Sequence, residues 1–135
     1  MADTTIPPPL WRTDPRLVME PVDGRVEALS IELREGKTAR TIDPDPHQGV
    51  CFEIGHDGRP TAVDMIAPVA EPAAAKLLMD LLVLCAEGEP GSTGPRPSVA
   101  HLEAVARVFR EANDRLTADR LLDGWRPTAP AAAAG

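Results

Sequence analysis

Residues 26–34 read VEALSIELR, and apolar and polar side chains alternate along this stretch. The apolar positions are Leu29, Ile31 and Leu33. Since successive side chains of a strand point to opposite faces, this spacing puts all three on one face, with Ser30 and Glu32 on the other. A strand that is apolar on one face and polar on the other is typical of an antiparallel sheet with one solvated side.

The period of two continues on both sides of this stretch. Strands are predicted over residues 17–19, 26–33, 37–42, 50–54 and 61–66. Glu35-Gly36 predicts a two-residue hairpin turn, because glycine can take the positive φ that such turns need. Residues 56–59, His-Asp-Gly-Arg, predict a further turn. The expected sheet is an antiparallel meander of four or five strands in which sequential strands pair.

Residues 73–87, AAAKLLMDLLVLCAE, predict a helix after the sheet. Pro72 suits a first helical turn and Gly88 a helix end. Apolar residues surround this helix almost completely, so it must be buried on more than one side. Either a helix over residues 99–112 of the same chain covers its outer side, or a second copy or another protein does. For the second case, the candidate interface residues are Leu77, Leu78, Leu81, Leu82, Leu84 and Phe109.

Proline, glycine and alanine clusters divide the chain into segments. Residues 1–15 are predicted to be a disordered proline-rich tail, and residues 16–87 form the meander and its buried helix. Residues 88–97 are a Pro/Gly linker, and residues 127–135 a second disordered tail. Residues 98–126 are predicted to form a helical hairpin, with a break at Asn113-Asp114 and a short second helix from Thr117. The fold class is therefore α+β.

Residues 28–41, ALSIELREGKTART, resemble the core of a short bacterial family of unknown function. Its members read Asp-Ala-Leu-Tyr-Ile-x-Leu-x-x-Gly-Lys, and their later strands are similar to residues 49–54 and 57–66. The similarity spans residues 17–67 and departs at Ser30, where the family has tyrosine, and in the longer segment 22–27. It implies a small β-meander without a known activity. Members are often encoded beside small toxin-like proteins, which implies an antitoxin-like role.

Residues 102–112 are similar to the first helix of actinobacterial and phage helix-turn-helix segments. Residues 117–124 would supply a second helix, but Arg126, proline and polyalanine follow in place of a recognition helix. The similarity implies at most a reduced motif.

The charge of the chain argues against nucleic acid as a partner. Fourteen Lys and Arg residues face 21 Asp and Glu residues, a formal net charge of −7, whereas phosphate binding needs a basic surface. A basic protein partner or a homo-oligomer is expected instead. The two cysteines are too few for a disulfide framework. With no basic-then-apolar leader and no apolar run of about 20 residues, a cytoplasmic protein without a membrane span is expected.

Residues that could carry chemistry are sparse. Asp43, Asp45 and His47 offer possible metal ligands, but the prolines between them do not aim these side chains inward, so a solvated loop is expected and no metal or cofactor is predicted. Cys51 lacks an evident base, and Cys85 is expected in the core. The predicted function is a noncatalytic protein-interaction module, regulatory or antitoxin-like. The alternative is a DNA-linked regulator with a reduced helix-turn-helix, and an enzyme ranks last.

Overall fold

The computed structural model describes residues 11–22, 25–45, 49–122 and 124. Within these residues, five strands precede two helices, which confirms the predicted α+β class with an antiparallel sheet. The strands are β1 Trp11–Val22, β2 Arg25–Arg34, β3 Thr38–Asp45, β4 Val50–Gly55 and β5 Pro60–Met65. The helices are α1 Ala73–Glu87 and α2 Val99–Leu121.

The strand order is β1-β2-β5-β4-β3, with every neighbouring pair antiparallel. The predicted sequential meander is therefore wrong at one connection. The chain leaves β2, crosses to the far edge to form β3, and returns through β4 to β5, which pairs with β2. Because β2 and β3 are not paired, Glu35-Gly36 does not close the predicted hairpin, and Gly36 takes a nearly extended φ of 158°.

The inner face of the sheet carries the predicted apolar positions. Ile31 on β2 and Phe52 on β4 both pair with Val63 on β5, and all three side chains are at most 1% exposed. The alternation in residues 26–34 is confirmed, since Leu29 and Leu33 are equally buried. One core joins this face to α1 and α2.

α1 begins after Pro72 and ends at Gly88, as predicted. Gly88 has a φ of 72° and its N–H donates to the Leu84 carbonyl (2.8 Å). At the start of α2, the Ser98 hydroxyl accepts from the His101 backbone N–H (3.2 Å), and the His101 ring nitrogen accepts from the Ser98 N–H (3.0 Å). This reciprocal cap satisfies backbone donors that the first helical turn leaves unpaired.

α2 runs without interruption through Asn113-Asp114, so the predicted helical hairpin is wrong. Asn113 is buried and holds a distant segment. Its Oδ1 accepts from the Val69 N–H (2.7 Å) and its Nδ2 donates to the Val69 carbonyl (2.8 Å). The Thr117 hydroxyl donates to the Asn113 carbonyl (2.8 Å) one turn earlier instead of capping a new helix.

Two segment predictions differ from the structure. Residues 11–15, assigned to a disordered tail, begin β1, and Trp11 is buried. Residues 88–97 form no helix or strand, as expected of a linker, but they are hydrogen-bonded to the β4–β5 turn. The Glu89 N–H donates to the Gly58 carbonyl and the Thr93 N–H to the Asp57 carbonyl, both at 2.9 Å. The other tail predictions, for residues 1–10 and 127–135, lie outside the described residues.

Candidate interaction surfaces

Most of the predicted interface residues lie inside the chain's own core. Leu77, Leu78, Leu81 and Phe109 are at most 4% exposed. The sheet and α2 cover the three leucines, as the intramolecular alternative predicted, and Phe109 packs in the same core from α2. Because these side chains are already buried, they are not available to a partner, and their assignment to an interface is corrected. Leu82 and Leu84 are half-buried at the edge of the same core.

α1 leaves a different apolar surface in contact with solvent. Met79 is 60% exposed and Val83 is 47% exposed. They lie one turn apart, on the side of the helix opposite Leu81. We call this surface the α1 stripe: Ala75, Met79, Leu82, Val83 and Ala86. Of the predicted interface residues, only Leu82 belongs to this stripe. A helical projection places Met79 beside Val83, but a helix that is apolar almost all round gives no sign of which side faces solvent.

Charged side chains flank the α1 stripe on one side. Lys76 lies in the first turn and Glu87 is the last helical residue. Asp80 lies between them, 4.0 Å from the Lys76 ammonium group. All three are exposed.

The second surface is the solvent side of the sheet, which we call the open face, since both helices pack on the inner side. Register places Ser30, Asp64 and Cys51 in one row across β2, β5 and β4. Glu32, Ala62 and Glu53 form the next row.

Carboxylates dominate the β3–β5 half of the open face. Asp64 accepts a hydrogen bond from the Ser30 hydroxyl (2.8 Å), and Glu53 accepts one from the Thr38 hydroxyl (2.6 Å). Glu32, near the other edge, lies 3.6 Å from Arg12 and 4.0 Å from Arg16 of β1. Arginines of β1 therefore lie beside Glu32, whereas Asp43, Glu53 and Asp64 lie on the strands towards the β3 edge.

Cys51 lies among the carboxylates of this half, directly opposite Asp64 in the register of β4 and β5. Burial raises the pKa of its thiol, and the carboxylates of Asp43, Asp64 and Glu53 raise that pKa further. A raised pKa keeps the thiol protonated at neutral pH, which opposes a nucleophilic role. Burial also raises the pKa of Cys85 to about 12, and its side chain packs in the core as predicted.

Metal ligands do not converge in the part of the chain that the structure describes. No group of three or more His, Cys, Asp or Glu side chains there is arranged to hold an ion. His47 and the Asp45 side chain lie outside the described residues, so the predicted solvated loop at 43–47 stays a prediction.

A buried ion pair joins β2 to the β4–β5 turn. The Arg34 side chain is fully buried, and its two terminal nitrogens contact the Asp57 carboxylate at 2.5 and 2.9 Å. Its Nε donates to the Pro60 carbonyl (3.0 Å), and its guanidinium stacks 4.7 Å from the centre of the Trp11 ring. Burial alone would raise the pKa of Asp57, but the hydrogen bonds and charge of Arg34, with the Arg59 N–H, lower it.

The same cluster holds the linker. The Arg59 guanidinium donates to the Thr93 carbonyl and to the Gly94 carbonyl (3.4 Å), and the Trp11 indole N–H donates to the Pro95 carbonyl (2.9 Å). Apart from the buried Arg59 Nε–H, which has no hydrogen-bond partner, these donors are engaged within the chain, so the cluster fits a structural role.

A cavity of about 110 Å³ lies between the start of α1 and the middle of α2. Ala74, Leu78, Phe109 and Asn113 line it. Sites for small molecules usually measure about 300–1,000 Å³, so this cavity is too small for a typical metabolite. Asn113 is moreover engaged by Val69.

Comparisons with known proteins gave no relatives: no family model matches the chain, and neither a curated protein nor a solved structure does. The resemblance argued from residues 17–67 therefore stays a prediction. Neither α1 nor α2 combines the length and apolar character that a bilayer crossing demands, and this holds for the described residues as a whole.

Proposed function

We propose that this chain is a noncatalytic protein-interaction module that binds a basic partner protein through its open face. The observation that carries the proposal is the placement of Asp43, Glu53 and Asp64 on one face of three adjacent strands, β3, β4 and β5. These carboxylates stand on neighbouring strands of one sheet, so little conformational freedom is lost when a partner engages them. A cytoplasmic location belongs to the same proposal.

Charge complementarity gives such a face a clear physical role. Lysine and arginine side chains of a partner are attracted before contact, which raises the association rate and makes it sensitive to salt. A regulatory or antitoxin-like protein would use the face to hold a basic target. Self-association is the second interaction that we propose, and it uses the helical side of the sheet, so it leaves the open face free.

The alternative, a DNA-linked regulator, has less support. A helix-turn-helix needs two helices separated by a turn, whereas residues 99–121 form one helix. Arg107 on that helix lies 3.7 Å from Asp14 of β1, so part of its charge is balanced within the chain.

The binding of an oligolysine peptide, followed by fluorescence anisotropy, tests the open face. A variant with Asp43→Asn, Glu53→Gln and Asp64→Asn should bind about tenfold more weakly at low salt, because three carboxylates that act together are neutralised. The matched control carries Glu103→Gln, Glu111→Gln and Asp114→Asn, which removes the same charge from exposed positions on α2. The control should bind as the unmodified chain does.

An equal loss in both variants would show that only net charge matters and would refute the open face as the site. Loss of binding on raising the salt concentration should accompany the specific effect. Far-UV circular dichroism of both variants checks that the sheet is intact.

A further inference from the structure

The order of the charged residues along α1 is unfavourable for the helix dipole. The partial positive charge at a helix N-terminus favours acidic residues, and the negative C-terminus favours basic ones. The first turn of α1 contains no acidic residue and includes Lys76, while the last turn contains no basic residue and ends in Glu87. Pro72 at the N-cap position makes no side-chain hydrogen bond to the helix. Within the single chain, both charges therefore oppose the helix dipole, and of the two only Lys76 has a counter-charge on the same helix, Asp80 one turn on.

The apolar side chains between these charges are also unfavourably placed for a lone chain. Met79 and Val83 occupy the middle of the α1 stripe and are 60% and 47% exposed. Half-buried Leu82 and Ala86 continue the stripe towards α2. Exposed apolar residues that are grouped in this way, with charges along one edge, are typical of an interaction surface.

A second copy of this chain could both compensate the unfavourable charges and cover the exposed apolar side chains. We propose that two copies pair through α1 in antiparallel orientation about a twofold axis, with the Met79 and Val83 side chains of each copy covered by the other. The proposal rests on the interaction function above and deepens it by naming one partner. An isologous contact of this kind is the commonest way in which soluble proteins form dimers.

Charge complementarity selects the antiparallel register. Lys76 and Glu87 lie on the same flank of the stripe, eleven positions or about 17 Å apart along the axis. A twofold axis that passes level with the 81–82 peptide bond, midway between them, brings Lys76 of each copy opposite Glu87 of the other. Two ion pairs form in this way, and each helix end receives from the second copy the charge that its dipole favours.

The size of the contact sets the expected strength. α1 has 15 residues and is about 22 Å long. Stable dimers bury about 800 Å² on each partner, and one helix of this length with the adjoining edge of α2 offers less. We therefore expect a concentration-dependent equilibrium between monomer and dimer.

Sedimentation velocity over a range of concentrations, with charge-reversal variants, tests the proposal. Lys76→Glu and Glu87→Lys each place like charges at both ends of the contact, so each variant alone should dimerise about tenfold more weakly. An equimolar mixture should regain dimers, because the carboxylate introduced in one variant then faces the ammonium group introduced in the other. Both positions are exposed, so the fold is preserved.

Two further variants distinguish dimerisation through the α1 stripe from nonspecific association of exposed apolar side chains. Val83→Asp should remove the dimer. Leu122→Asp should not, although Leu122 is the more exposed side chain at 84%, because it lies beyond the α1 stripe at the end of α2.

A chain that stays monomeric throughout the concentration range would overturn the proposal and leave the stripe to residues 1–10 or to a different protein. A dimer that persists in Val83→Asp, or a mixture of the two charge variants that fails to associate, would overturn it as well. The oligolysine measurement does not depend on α1. If the unmodified chain forms no dimer but binds oligolysine through the open face, only this inference is refuted. If it forms the dimer but the open-face variant and its control bind oligolysine equally, only the open-face proposal is refuted.

Discussion

Asp57 provides the counter-charge of the buried Arg34 guanidinium group. The pair is bidentate, and the Arg34 side chain is fully shielded from water by its neighbours, which include the Trp11 ring. An ion pair in such a place adds little compared with an apolar pair of the same shape, but the loss of one partner leaves an uncompensated charge. The stability of the fold should therefore depend on this one carboxylate more than on the many exposed ones.

Asp57→Asn should lower the free energy of unfolding by about 3 kcal/mol at neutral pH, because it leaves the Arg34 guanidinium buried without its counter-charge. Urea denaturation gives the value. Asp114→Asn, which removes an exposed carboxylate, is the control and should change it by less than about 0.5 kcal/mol. Equal effects of the two substitutions would contradict the importance of the pair.

The lowered pKa of Asp57 in the folded chain also predicts how this difference varies with pH. A depressed folded-state pKa contributes stability that is complete above the unfolded-state pKa, about 3.9, and that is lost as pH falls through the folded-state pKa. The gap between the unmodified chain and Asp57→Asn should therefore narrow as the pH falls below about 4. A gap that stays constant down to pH 2 would show that Asp57 acts through its shape and not its charge.

The individual elements were predictable where local chemistry specifies them. Pro72 and Gly88 bound α1, Ser98 caps α2, and the alternation around Ile31 marks β2. Each of these signals operates within a few residues of the structure that it produces.

The predictions were wrong where a residue far away in the sequence determines the local structure. β2 pairs with β5 instead of β3, and Arg34 at its end contacts a carboxylate 23 residues along the chain. Asn113 has a low helix propensity, but it lies inside α2 and is hydrogen-bonded to Val69, 44 positions away. For the site, hydrophobicity selected the leucines of α1, but only the position of the sheet decides that Met79 and Val83 face solvent. Local patterns contain no information of that kind.

Asn113→Ala tests the interpretation of α2 as one element held by a tertiary contact. Alanine favours a helix more than asparagine does, so α2 should keep its full helical signal in circular dichroism. The Val69 N–H and carbonyl lose their partners, however, and unfolding should become easier by about 2 kcal/mol. Hydrogen exchange at the Val69 amide should accelerate, and an unchanged rate there would contradict the role given to Asn113.

At the scale of the whole molecule, residues 88–97 tie the two layers together. The segment leaves α1 at Gly88, contacts the β4–β5 turn through Asp57 and Gly58, accepts a hydrogen bond from Trp11 of β1 and leads into α2. Ser92 lies where these contacts meet, since its hydroxyl donates to the carbonyls of Gly58 (3.3 Å) and Glu89. A proline- and glycine-rich segment thus acts as a clamp between sheet and helices, so we expect both layers to unfold in one transition.

Gly88→Ala tests whether stability depends on the junction between the end of α1 and the clamp. A Cβ at Gly88 would overlap the Ser92 hydroxyl oxygen and lie 2.5 Å from the Ser92 Cβ, whereas a Cβ at Gly91 would meet nothing within 4 Å. Both glycines have positive φ, 72° and 83°, so Gly91→Ala reports backbone strain alone, about 1 kcal/mol. Gly88→Ala should cost about 3 kcal/mol in urea denaturation, since its φ and ψ belong to a region that is nearly exclusive to glycine and the clamp must also shift. Faster exchange of the Trp11 indole N–H in Gly88→Ala alone would show that the disturbance passes from the helix end to β1. Equal losses of stability in the two variants would contradict the role given to the Gly88–Ser92 contact in the clamp.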